Sequence, residues 1–131
     1  MGDGYIMGIV AAGLGEGAFF MSMPHYKKEI KEKLGFDAYP GTLNLKINKE
    51  QMYPFKKNNL IKIIGFKKNN KTFGGAICYK AKIDEIDGAI IIPDINKHKE
   101  EIIEFIAPVN VKSELNIKDG DKVKIQITSY Q

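Results

Sequence analysis

A chain of 131 residues that is 44% hydrophobic reads as one domain over 1–131, large enough to bury a core without staples. Its single Cys excludes a disulfide framework, and no apolar run approaches the roughly 20 residues that a membrane span needs. The net charge of +4 argues against a dedicated nucleic-acid surface, and all 20 basic residues are Lys, so a bound phosphate must rest on backbone N–H groups, lysines and a cation in place of guanidinium forks.

In chain order, "YIMGIVAAG" at 5–13 and "AFFMSM" at 18–23 flank a short glycine turn and read as a hairpin. The segment "PHYKKEIKEKLG" sets Pro24 at a first helical position and Gly35 just past the end, with Tyr26, Ile30 and Leu34 on one face, which predicts a helix. Strands follow in "GTLNLKI", in "NNLIKIIGF" and "KTFGGAICYKAKI" joined through "KKNNK", in "GAIIIPDI" after the "DEIDG" turn, and in "EIIEFIAP". "NVKSELN" predicts one or two helical turns, and "KDGD" turns the chain into the alternating strand "KVKIQIT". Six or more strands with one real helix imply a mostly β protein built as a small closed barrel, which leaves no exposed edges. Cys78, inside an apolar run with no second Cys and neither His nearby, reads as a small buried hydrophobe. "MGDGYIMGIV" lacks the basic start and cleavage site of a signal peptide, so a soluble protein of a reducing cytoplasm is expected.

Three constellations bear on chemistry. "GLGEG" at 13–17 allows the main chain to approach a ligand and to present N–H groups to an anion, although a flexible hairpin turn explains the same glycines. It is neither a dinucleotide fingerprint nor a P-loop, because no helix follows directly and no Lys-Ser/Thr pair closes it. In "GTLNLKI", Thr42, Asn44 and Lys46 share one side of a strand and Leu43, Leu45 and Ile47 the other. A wet face accounts for that pattern. So does a hydroxyl and a carboxamide oxygen, both pointing inward, holding Mg²⁺ that arrives with nucleotide phosphates. Glu104 shares its strand face with Ile102 and Ile106, an awkward place for a carboxylate unless it meets a ligand or looks outward; a ligand-facing carboxylate would suit a general base or hydrogen-bond acceptor. His25 and His98 are far apart and unsupported, and both read as surface residues.

"GLGEGAFFMSMPHY", "LGFDAYPGTLNLKI", "IDGAIIIP" and "EIIEFIAPVNVKSELNIKDGDKVKI" together closely resemble the archaeal CTP-dependent riboflavin kinases, in order and across nearly the whole chain. The resemblance implies a six-stranded cradle-loop β-barrel, related to transcription-factor and riboflavin-synthase-like barrels, with one main helix and a short C-terminal helix. It implies transfer of a phosphoryl group from CTP to riboflavin, giving FMN and CDP. Leu14, Gly15, Glu16, Gly17, Ala18 and Phe19 match the loop that wraps the nucleotide phosphates, and Thr42 and Asn44 match Mg²⁺ ligands. Val109, Asn110, Val111 and Lys112 match a segment contacting the cytidine nucleotide, where backbone groups would read the base edge. Glu104 matches a flavin contact and is the place to look for a group that activates the ribityl 5′-hydroxyl.

Two positions depart from the family pattern. Ala18 stands where the loop commonly carries Arg, removing a charge near the phosphates, and Asn96 stands where relatives bind flavin through Thr. Some relatives carry an N-terminal helix-turn-helix domain, for which 131 residues are expected to leave no room. A monomer is expected, with riboflavin and CTP as partners and neither membrane nor nucleic acid among them. The alternatives are a DNA-binding regulator barrel, which shares the "LNIKDGDKVKI" type of ending, and a barrel that binds flavin or nucleotide without chemistry.

Overall fold

A computed structural model describes residues 4–13, 21–48, 50–51, 60–94 and 101–128. Strand β1 (Tyr5–Ala11) alternates strictly, with Ile6, Gly8 and Val10 buried and Tyr5, Met7 and Ile9 exposed. β9 (Lys122–Ile127) does the same through Val123, Ile125 and Ile127, and pairs antiparallel with β1 so that Met7 faces Lys124. Between them in sequence come β2 (Leu43–Lys46), β3 (Ile61–Ile63), β4 (Phe66–Lys68), β5 (Lys71–Phe73), β6 (Ala76–Ile83), β7 (Ile86–Pro93) and β8 (Ile102–Ile106).

Hydrogen bonding runs from β6 through β7, β8, β2 and β1 to β9, and a further β6–β9 pairing closes the ring. Six antiparallel strands thus form a barrel. β6 is long enough to serve two neighbours along one edge: Ala76 to Cys78 pair with β3, and Ala81 and Lys82 pair with β9. The interior is filled by alternate residues of every barrel strand, among them Ile6, Val10, Leu45, Tyr79, Ile90, Phe105 and Ile125.

The helix α1 (Pro24–Leu34) lies on the outside of this barrel. Tyr26, Ile30 and Leu34 are its buried face, as the spacing predicts, and they pack on Ile63, Ala76, Cys78, Ala89, Ile91 and Ile106. Each such aliphatic side chain contributes about 2 kcal/mol relative to exposure. Gly35 caps the helix in the left-handed region, its N–H shared between the Ile30 and Lys31 carbonyls. Cys78 is fully buried under the helix, and burial pushes its thiol up to about 12, so it carries no thiolate at neutral pH. The short helix α2 (Val111–Leu115) is capped by Asn110, whose side-chain oxygen accepts from the Ser113 N–H.

Three sequence expectations are corrected. Among the described residues the hairpin of 5–13 with 18–23 does not form: β1 pairs with β2 and β9, and Met21 to Met23 lead into α1 with Met23 as its N-cap. Met21 is buried against the helix cluster and Met23 packs on it, so these two apolar side chains serve a second core and not a strand face. The single strands expected over "NNLIKIIGF" and "KTFGGAICYKAKI" are each broken, after Ile63 and after Phe73, and β4 and β5 leave the barrel as a separate two-stranded ribbon. Asn69 and Asn70, both with positive φ (53° and 63°), make its tip, the arrangement a two-residue hairpin of right-handed twist requires. His25 is half-buried where a surface residue was expected: its Nε2–H donates to the Ile64 carbonyl at 2.6 Å, and its ring lies 4.5 Å from that of Phe66. His98 lies outside the described residues.

Gly88, on β7, is where the barrel is least tolerant. A methyl there would collide with the Ile106 carbonyl oxygen and sit 2.7 Å from Phe105 Cζ, and a backbone oxygen cannot swing aside. Gly88→Ala is expected to cost about 3 kcal/mol and to lower the Tm by roughly 10 °C, measured by thermal melting.

Candidate active site

The polar face of β2 acquires its meaning from the strand beside it. Antiparallel pairing with β8 sets Asn44 directly opposite Glu104, with Leu43 facing Phe105 and Leu45 facing Ile103. On the far side of β2 Asn44 faces Ala11, and on the far side of β8 Glu104 faces Ile91. One rung therefore crosses four strands as Ala11, Asn44, Glu104, Ile91.

Leu43, Leu45, Ile103 and Phe105 fill the barrel interior, so Asn44 and Glu104 project from the outer wall. This corrects the expectation of inward-pointing ligands. Nor is the rung turned to bulk water: Asn44 is 8% and Glu104 9% exposed, and they are the buried polar side chains among the described residues. A carboxylate and a carboxamide buried side by side are costly unless something polar satisfies them. Thr42, two residues before Asn44 and on the same side, supplies part of that: its Oγ1 donates to Glu104 Oε1 at 2.8 Å across 62 residues of sequence. The structure thus gathers Thr42, Asn44 and Glu104 at one place.

Gly13, the first glycine of "GLGEG", lies against this group. A methyl at Gly13 would overlap Asn44 Nδ2 and stand 2.9 Å from its Cγ, so the main chain entering the loop is in direct apposition to the carboxamide. Leu14, Gly15, Glu16, Gly17, Ala18, Phe19 and Asn96 lie outside the described residues.

The chain belongs with a family whose model, named CTP-dep_RFKase and described as "Domain of unknown function DUF120", matches residues 10–127. That match starts on β1 and ends on the last residue of β9, so it takes in the rung and the closed barrel alike. The chain is a member of the CTP-dependent riboflavin kinase family. A curated protein named "Riboflavin kinase" from Pyrobaculum aerophilum is 44% identical over 126 residues, covering 93% of this chain and 60% of its own length. Proteins of the same name from Archaeoglobus fulgidus (44% identical; 93% of this chain, 54% of its own) and Pyrococcus furiosus (45%; 94% and 58%) are similar to the same extent. The chain therefore spans little more than half the length of these relatives.

Within this family member, the segment expected to meet the nucleotide is divided in its roles. Val111 is buried in the barrel core, and Lys112 Nζ pairs with Asp119 Oδ1 at 2.8 Å. Val109 is exposed, and Asn110, besides capping α2, donates from Nδ2 to the Tyr39 hydroxyl at 3.2 Å. The Tyr39 N–H in turn donates to the Ala107 carbonyl at 2.7 Å, so the segment leading to Thr42 and the turn leading to α2 run side by side. Sequence reasoning missed both Gly13 as a contact of Asn44 and Tyr39 as the link between the two segments. The signal for Tyr39 was an aromatic three residues ahead of Thr42 in "YPGTLNL", and for Gly13 there was none beyond the glycine itself.

The donor set suits a hard cation. A hydroxyl that gives its proton to a carboxylate still carries lone pairs, and with the Asn44 carboxamide oxygen and Glu104 it offers only oxygen atoms, the chemistry Mg²⁺ takes. Among the described residues no group of three His, Cys, Asp or Glu side chains assembles a metal site, so such an ion would need phosphate oxygens to complete its shell. A groove of about 590 Å³ lined by Met7, Ile9, Lys46 and Lys122, among others, lies farther along β1 and β2 and contains none of the predicted residues. No helix among the described residues is long and apolar enough to cross a membrane.

Proposed function

We propose that this chain transfers the γ-phosphoryl group of CTP to the 5′-hydroxyl of riboflavin, yielding FMN and CDP, with Mg²⁺ as the required cation. The observation that carries the reading is the convergence of Thr42, Asn44 and Glu104 on one rung, at the start of the glycine loop, in a chain of this family. Thr42 and Asn44 would hold Mg²⁺ through their oxygens, and the ion would neutralise phosphate charge that no Arg is present to meet.

Each residue then has a bounded task. The backbone after Gly13 lines the phosphates, and Val109 to Lys112 border the nucleoside. Glu104 accepts the proton of the ribityl hydroxyl as its oxygen forms a bond to the γ-phosphorus and the bond from that phosphorus to the β–γ bridging oxygen breaks, releasing CDP. Because phosphoryl transfer passes through a loose transition state, alignment and charge neutralisation dominate and the proton moves late.

Incubating the purified chain with riboflavin, Mg²⁺ and either CTP or ATP, then separating FMN from riboflavin, is the direct test. FMN formed with CTP, and abolished by chelating the metal, is the expected result. Binding of riboflavin without any FMN under all conditions would reduce the protein to a ligand-binding barrel.

A further inference from the structure

Tyr39 is exposed and yet held in place. The residue is 39% exposed, yet it is fixed from two directions: the hydroxyl by Asn110 Nδ2 and the main-chain N–H by the Ala107 carbonyl. A methyl at Gly41 would stand 3.3 Å from its Cε2, so the ring is folded back over the chain that leads into Thr42. A surface tyrosine with no task keeps its rotamer freedom; this one has given it up while leaving an apolar face in water. Thr42 is the third residue after it, a reach of about 10 Å at most. Val109, also exposed at 36%, is the neighbour of the Asn110 that holds the ring.

We propose that Tyr39 is the stacking platform for the pyrimidine base of the nucleotide, a binding residue additional to the segment 109–112. This rests on the kinase reading above and deepens it. A flat ring held beside the nucleotide segment, within about 10 Å along the chain of the threonine that would help carry the cation, is placed for a planar base and needs no side-chain code to hold it. Stacking tolerates every base because each has a π-face, so Tyr39 contributes affinity for the nucleoside and leaves the choice among bases to the main chain of 109–112.

The test separates this residue from the reading beneath it. In wild-type protein, FMN formation with CTP establishes the reaction; its absence overturns the kinase reading whatever Tyr39 does. Given activity, Tyr39→Ala is expected to raise the KM for CTP roughly 10- to 100-fold, while kcat and the KM for riboflavin change little. Tyr39→Phe keeps the ring and is expected to stay within a few-fold of wild type. A rise confined to the KM for riboflavin, or no rise at all, overturns the platform and leaves the kinase standing. A second measurement does not depend on any variant folding: with ring-labelled tyrosine, CDP alone is expected to shift the Tyr39 resonance. An unmoved Tyr39 resonance at saturating CDP overturns the proposal equally.

Discussion

Asn44→Ala is expected to lower turnover by about 100-fold at limiting Mg²⁺, with partial recovery as Mg²⁺ is raised. The reasoning starts from the rung. Asn44 is buried beside Glu104, with Gly13 against its carboxamide and Thr42 bonded to the same Glu104 carboxylate, so its oxygen has a defined position and not an average over rotamers. Removing it takes a neutral ligand from an ion for which no group of three His, Cys, Asp or Glu side chains is assembled among the described residues, so the loss of one oxygen is a large share of what the protein offers. Glu104→Gln is expected to cost less, about 10-fold, because the amide oxygen can still accept from Thr42 and the proton that Gln cannot take up moves late in a loose transition state. Steady-state rates at several Mg²⁺ concentrations, with thermal melts as the control for folding, check both. Full turnover by Asn44→Ala at limiting Mg²⁺ would remove the rung from the metal.

How far all this could be read from residues alone follows from the range of the interactions. The helix α1 was legible because its signals are local: Pro24, Gly35 and three apolar residues at four-residue spacing need no knowledge of the rest of the chain. β1 and β9 were legible for the same reason, as strict alternation survives on a barrel whose outer side there is open to solvent. Which strand pairs with which was not. β1 finds β9 more than a hundred residues away, and the apparent hairpin partner at 18–23 instead contributes Met21 to the helix-covered face. The second core misled in a consistent way, since residues on a strand buried on both sides lose their period.

The site shows the same division. Two-residue spacing made Thr42 and Asn44 a pair from the outset, but a strand by itself does not say which side is the barrel interior. Leucines and isoleucines decided that, and sent the polar pair to the outer wall. Glu104 was suspect as a carboxylate among isoleucines; only the β2–β8 register brings it opposite Asn44 and within hydrogen-bonding distance of Thr42.

Gly13→Ala tests whether the glycine loop and the rung act as one device. Gly13 does not have positive φ, so alanine meets no backbone strain there, and the entropy of the unfolded chain falls by an amount worth about 0.4–1 kcal/mol in favour of folding. What the new methyl meets is the far end of the Asn44 side chain, which can turn away at little cost to the fold. The Tm is therefore expected to stay within about 3 °C of wild type, in contrast to Gly88→Ala, where the obstacle is a backbone oxygen. Activity is another matter, because turning the carboxamide takes its oxygen off the rung: turnover is expected to fall about as far as in Asn44→Ala, roughly 100-fold. If that is the route, the two changes cannot add. Gly13→Ala combined with Asn44→Ala should be no slower than Asn44→Ala alone, since the alanine at 44 leaves the new methyl nothing to displace. Independent losses that multiply in the double variant would mean that Gly13 acts on the phosphates through its own main chain and that Asn44 owes its position to something else.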